Sequence, residues 1–186
     1  MNVYFDNAAT TAIRKEVIDK MTSIMNEIYG NPSSTHSFGR KSKVYLENAR
    51  KSIASILNAE PQEIIFTSGG TESDNMIIQR AVLDLNIKTI ISSPIEHHAV
   101  IHAIENLDNI SYNNVSLTKD GSVDLEHLEK LLTENNQLKL VSLMHVNNEI
   151  GNILDLKKVG ELCKKHNSYF HTDAVQGIGH FEIDLT

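Results

Sequence analysis

From residue 63 onward, short apolar runs alternate with longer amphipathic ones, and no other feature of the chain restricts its fold as strongly. The short runs are Glu63–Thr67, Thr89–Ser92, Ile110–Leu117, Lys139–His145 and Ser168–Thr172. Each is too short for a helix and reads as a buried strand. Between them, Thr71–Leu83, Glu96–Leu107, Leu125–Glu134 and Asp155–His166 carry apolar residues at helical spacing. Strand–helix–strand alternation implies parallel neighbours joined by right-handed crossovers. The expected fold is therefore α/β, a three-layer sandwich around a mainly parallel sheet. The closing residues Phe181–Thr186 open a new element without a cap or a tail composition, so the sheet is expected to be incomplete at that end.

The first sixty residues have a different rhythm. Val17, Met21, Ile24, Met25 and Ile28 predict an amphipathic helix over Arg14–Tyr29, which Gly30-Asn31-Pro32 ends. A loop rich in Ser, Asn and Gly leads into a second helix, about Arg40–Leu57, closed by Asn58 and Pro61.

Charge and cysteine content exclude several functions. Seventeen Lys and Arg stand against 24 Asp and Glu, a net charge of -7, with no basic block to hold nucleic acid or an anionic membrane. No apolar run approaches the roughly 20 residues that cross a bilayer. The single cysteine, Cys163, forms no internal disulfide, and no signal-like segment precedes the polar opening Asp6–Thr11. A reducing, cytoplasmic setting is expected.

Four motifs carry candidate chemistry, each at the C-terminal end of a predicted strand, where open α/β sheets bind ligands. Ile64–Asp74 runs from an apolar strand through Ser68-Gly69-Gly70 into a helix start, with Thr71 and Asp74 spaced as a capping box. Free helix-start amides would hold a phosphate there, although paired glycines also mark ordinary turns. In Ile95-Glu96-His97-His98, His97 begins a helix, where an imidazole can stack on a flat ring and move protons near neutral pH. It reads equally as an exposed helix-start residue, or, with His98 and His102 four apart, as part of a metal site lacking a further ligand. In His145-Val146-Asn147-Asn148-Glu149-Ile150-Gly151, Asn148 can hydrogen-bond a ring substituent or serve turn chemistry. Finally, the strand Ser168–Thr172 ends at Asp173, with Gln176 just beyond. A carboxylate there can hold a pyridine nitrogen in its protonated form or simply cap the next turn. Phosphate, ring-face, ring-edge and ring-nitrogen contacts at one sheet edge form a coherent set.

These motifs, with Tyr4–Thr11, Gly30-Asn31-Pro32-Ser33-Ser34 and Asp173-Ala174-Val175-Gln176, resemble the cysteine desulfurases, of the class V aminotransferase group of fold-type-I pyridoxal-phosphate enzymes. The likeness runs in register from Tyr4 to Leu185. It implies pyridoxal 5'-phosphate as cofactor, with Gly70 and Thr71 on its phosphate, His97 stacked on the ring as the catalytic acid–base group, Asn148 and Gln176 near the phenolic oxygen and Asp173 on the ring nitrogen. It implies a substrate, L-cysteine, whose sulfur passes as a persulfide to an acceptor or scaffold protein for iron–sulfur cluster assembly or tRNA thiolation, leaving alanine. It also implies a homodimer, with residues 1–40 contributing to the small domain or the dimer contact and 41–186 forming the cofactor-binding large domain, incomplete at its C-terminal end.

Some family features have no counterpart here. The family's cofactor-anchoring lysine, in a Ser-x-His-Lys motif, and its nucleophilic cysteine and substrate-binding arginine are expected beyond these residues, and no lysine follows Lys165. Cys163 lies within a predicted helix and is expected to be a packed side chain. Gly69-Gly70 stands where a Gly-Ala pair is frequent. The chain alone is thus expected to be inactive. Alternatives are another class V enzyme, such as a selenocysteine lyase or an aminotransferase, or a short paralogue that binds without turnover.

Overall fold

The computed structural model describes residues 1–185. Two compact units divide them, one running from Met1 to Phe66 and joined by the segment from Glu182, the other spanning Thr67–Phe181.

In the first unit, α1 (Lys15–Glu27) and α2 (Ser37–Leu57) precede a single 3-10 turn at Pro61–Glu63. Helix α1 buries none of its residues. Helix α2 starts three residues earlier than the periodicity predicts, because the His36 ring accepts a hydrogen bond from the Gly39 amide at 3.3 Å and caps it. It ends at Asn58, in the left-handed region at φ 53°. The glycines of the intervening loop are required by close backbone approach. A Cβ on Gly30 would lie 2.5 Å from the Phe38 carbonyl, and one on Gly39 would lie 2.6 Å from the Asn31 oxygen.

The strand expected at Glu63–Thr67 does not form. Ile64 is extended (φ −90°, ψ 118°), but no ladder partner meets this segment among the described residues, and Ile65 and Phe66 are 67% and 44% exposed. An apolar run sets side-chain character, whereas a strand also needs a neighbour for its backbone groups. The Arg50 guanidinium instead donates to the Ile64 carbonyl and lies 4.9 Å from the Phe66 ring centroid.

The second unit follows the predicted alternation: α3 (Gly70–Asp84), β1 (Thr89–Ser92), α4 (His98–Glu105), β2 (Ser111–Asn114), α5 (Leu125–Thr133), β3 (Lys139–Ser142), α6 (Leu156–Lys165) and β4 (Tyr169–His171). All four strands are parallel, in the order β2-β1-β3-β4. Successive side chains of a strand point to opposite faces, and the central strands are apolar on both. Ile90 and Leu140 pack with Ile78 and Ala81 of α3 and Val100, Ala103 and Ile104 of α4. Ile91 and Val141 pack with Leu128, Leu131 and Leu132 of α5 and Val159 and Cys163 of α6. Helices thus cover both faces of the sheet, the three-layer α/β arrangement. Each fully buried aliphatic side chain contributes ~1.5–3 kcal/mol, enough to hold strands of three or four residues.

One buried cation serves the connection between α5 and β3. Lys139 is 2% exposed, and its ammonium donates to the carbonyls of Leu132 (3.1 Å), Asn135 (2.7 Å) and Gln137 (3.3 Å). It closes the open carbonyls at the α5 C-terminus, where positive charge is also favoured by the helix dipole.

Candidate functional site

The strand order reverses direction at β1. The chain leaves β1 for β2 on one side and returns to β3 on the other, so a crevice is expected outside the C-terminal ends of β1 and β3. Four turns meet there. Val175 Cγ2 lies 2.9 Å from where a Cβ on Gly70 would sit, joining the α3 start to the turn after β4. Asn75 of α3 donates to the Ala99 carbonyl of α4 at 3.4 Å. Asn147 donates to the Ile95 carbonyl at 2.7 Å, tying the turn after β3 to the turn after β1. The His145 amide donates to the Asp173 carbonyl at 2.9 Å, extending the β3–β4 pairing beyond the strands.

Gly70 and Thr71 form the first turn of α3, with Gly69 as its cap. The capping box expected from Thr71 and Asp74 is absent, because Asp74 faces the interior at 4% exposure. Glu72 closes the turn instead, accepting from both the amide and the hydroxyl of Ser68 at 2.6 Å. Those bonds hold its carboxyl below the usual range. His97 caps α4 by accepting from the Ala99 amide through Nδ1 at 3.1 Å. That bond commits Nδ1 as an acceptor and leaves Nε2 as the proton-carrying atom of the neutral ring. His98 and His102 stack on one another, 5.3 Å apart and 13° from parallel. Among the described residues no group of three or more His, Cys, Asp or Glu is disposed to hold a metal.

Asn148 is half-buried and donates to its neighbour Glu149 at 2.9 Å. The turn is built by Asn147, whose oxygen accepts from the amides of Glu149 and Ile150 at 2.8 and 2.9 Å. Asp173 is buried and accepts from the Val175 amide at 2.9 Å, which orients its carboxylate at the strand end. Gln176, half-buried, lies three residues further along the same turn.

Beneath these turns is a buried polar layer whose contacts the sequence motifs did not reveal. Ser92 donates to the Ser142 carbonyl at 2.8 Å, Ser142 bonds His171 Nδ1 at 2.9 Å, and His171 Nε2 faces Asp74 at 3.5 Å. The order Ser–His–Asp has the form of a hydrolytic relay, but Ser142 is wholly buried and has no face for a substrate. The relay therefore ties α3 to β4. Glu96 is 7% exposed, with Oε1 accepting from Ser93 at 2.6 Å. Buried polar atoms are nearly always paired. Among the described residues, the buried side-chain atoms without a hydrogen-bond partner are Glu96 Oε2, His145 Nδ1 and Thr172 Oγ1. All three belong to the strand ends at this crevice.

The model of the aminotransferase class-V family matches residues 3–186. The chain belongs to the class-V aminotransferase family. Among curated relatives of this class-V chain, the cysteine desulfurase IscS of Dictyoglomus turgidum is 44% identical over 98% of the chain and 47% of its own length. The corresponding protein of Methanosarcina thermophila is 46% identical over 98% and 46%. A solved NifS-like protein superposes with a TM-score of 0.93 at 39% identity, covering 100% of this chain and 52% of its own. The chain thus spans about half the length of the relatives it matches.

In this class-V chain, Cys163 belongs to the α5–α6 core and not to the crevice. It is 1% exposed, and burial pushes its thiol up to about 12. No helix of the described residues is long and apolar enough to cross a membrane.

Proposed function

We propose that this chain is the cofactor-binding portion of a pyridoxal-phosphate-dependent cysteine desulfurase. The whole protein would act on L-cysteine in the cytoplasm, leave L-alanine and pass sulfur, as a persulfide, to an acceptor or scaffold protein. The observation that carries this reading is the meeting of four turns at one sheet edge, bearing Gly70 and Thr71, His97, Asn148, and Asp173 with Gln176. The match to the desulfurase relatives over 98% of the chain supports it.

The residues fit pyridoxal phosphate. When bound, this cofactor supplies an electron sink for bonds at a substrate α-carbon. The amides of Gly70 and Thr71, at the positive end of α3, would take the phosphate, which would contend there with the Glu72 carboxylate. Asp173, fixed by the Val175 amide, would hold the ring nitrogen protonated, while Asn148 and Gln176 would bond the phenolic oxygen. His97 would lie on the ring face and offer Nε2–H as a donor while Nδ1 accepts from Ala99; acid–base work by this ring would require Nδ1 to give up the Ala99 bond and take the proton instead. Residues 1–40 would contribute to the small domain or the contact of a homodimer, for which the exposed α1 residues Val17, Met21 and Met25 supply an apolar face.

The test is a titration of pyridoxal phosphate into the 186-residue chain, followed by cofactor absorbance or by calorimetry, since the chain has no tryptophan to report binding by fluorescence. Reversible binding is expected, weakened about tenfold or more by Asp173→Asn, since a carboxylate–cation pair is lost. No alanine should form from cysteine with this chain alone. Binding that is indifferent to both Asp173→Asn and His97→Ala would overturn the site.

A further inference from the structure

We propose that Glu96 is the proton-exchanging partner of this site: it rests as a neutral acid under the His97 turn and releases its proton to solvent when Asp173 binds a cationic ring nitrogen. This deepens the cofactor reading above and rests on it.

The geometry supplies the argument. Glu96 lies between the ends of β1 and β3, buried, with Oε1 on Ser93, Oε2 without a hydrogen bond of good geometry, and the Met144 backbone amide as the other group that favours its charge. A buried carboxylate without a countercharge is costly and takes up a proton instead. The groups around it are Asp74 from α3, Tyr112 from β2, Asp173 at the β4 end and Asp155 across a shared cavity, with His145 next in sequence to the cavity-lining Met144 and His171 against Asp74. No Lys or Arg is among them. Burial holds His145 neutral, and His171 is engaged by Ser142 and Asp74. Asp173 and Asp74 both disfavour a further negative charge, so desolvation and like-charge neighbours act together, and Glu96 is raised to about 7. A cation placed against Asp173 cancels much of that repulsion and makes the ionised form of Glu96 acceptable. The proton balance is simple: for a midpoint that falls by about one unit, Glu96 gives up about half a proton per site near neutral pH, that proton passes to solvent, and no bond to carbon changes. Glu96 lines a partly open cavity of about 180 Å3 whose polar members include Ser93, Ser122, Asn147 and Asn152, so its carboxyl lies beside space that water can reach.

The experiment uses pyridoxine 5'-phosphate, which keeps the ring nitrogen and phosphate but forms no imine. Calorimetric titration of the chain at neutral pH, in buffers of different ionisation enthalpy, reads the protons released on binding. Carbon-13 NMR of the Glu96 carboxyl reads its ionisation directly, with and without the probe. The expected result is a free-chain midpoint near neutrality that falls by about one unit or more on binding, and a proton release that disappears in Glu96→Gln while the probe still binds. Release that persists in Glu96→Gln, or a free-chain midpoint in the ordinary carboxylate range, overturns the proposal and leaves the cofactor reading intact. A probe that fails to bind the unmodified chain sinks both. If Glu96→Gln does not fold, the NMR titration of the unmodified chain decides alone.

Discussion

Gly177 and His145 show how little room the crevice leaves at the scale of single atoms. A Cβ on Gly177 would run into His145 Nδ1, and His145 in turn packs edge-on against Phe181 with centroids 5.2 Å apart. Gly177→Ala should therefore push the His145 ring aside, cost ~1–3 kcal/mol of stability and weaken pyridoxal phosphate binding through the adjacent Asp173. Urea unfolding and a binding titration measure the two effects. The burial of Glu96 also bears on stability. Its native form holds a proton up to about pH 7, whereas the unfolded chain releases it near the ordinary value of 4.5. Between those limits the native state binds more protons, so stability falls as pH rises, by up to ~3 kcal/mol. Glu96→Gln, which stays neutral, should remove that slope from denaturant midpoints measured at about pH 5 and pH 8. At Cys163, a thiol held at about 12 is protonated at neutral pH, so native protein should react with a disulfide reagent only as fast as it opens.

Among the elements, the link between α5 and β3 is the most sensitive to one substitution. Lys139→Met keeps the aliphatic stem but removes the donor to three carbonyls, an expected loss of ~2–3 kcal/mol seen as a lowered unfolding midpoint. Nothing local in Lys139-Leu140-Val141-Ser142 announces this role, because the residue reads as the polar start of a strand. The elements themselves were largely legible. Every predicted helix formed, and the four strands of the sheet lie inside the predicted runs, since periodicity is a local property that burial enforces. The run at Glu63–Thr67 misled because its partner is a matter of tertiary structure. Asp74 misled for a related reason: its spacing to Thr71 suits a cap, but the fold turns it inward to His171. The strand-end positions of His97, Asn148 and Asp173 could be read from the same rhythm, whereas Gly70 opens α3 after a segment that forms no strand. The support under them, in Asn147, Ser142, His171 and the buried face of Glu96, could not, because it depends on which side chains meet across β1, β3 and β4.

Across the whole molecule, burial is unevenly shared. Strands β1 and β3 lie between neighbours on both edges and cores on both faces, while α1 has no buried residue. Native-state hydrogen exchange should be slowest at the amides of Ile90, Ile91, Leu140 and Val141, and α1 should exchange orders of magnitude faster. Comparable protection in α1 and the central strands would contradict this division. The order of the strands has a further consequence in time. Every pairing in the sheet joins segments between Thr89 and His171, and each strand, once made, finds its place beside one already present. On a ribosome, β1 and β2 can pair while β3 is still being synthesised, and both faces can be closed by helices as soon as β4 emerges. A parallel sheet is ordinarily slow to assemble. Here vectorial synthesis presents the strands in an order that lets the hydrophobic layers close early, so nascent chains of this protein should gain protease resistance in one step shortly after His171 clears the exit tunnel.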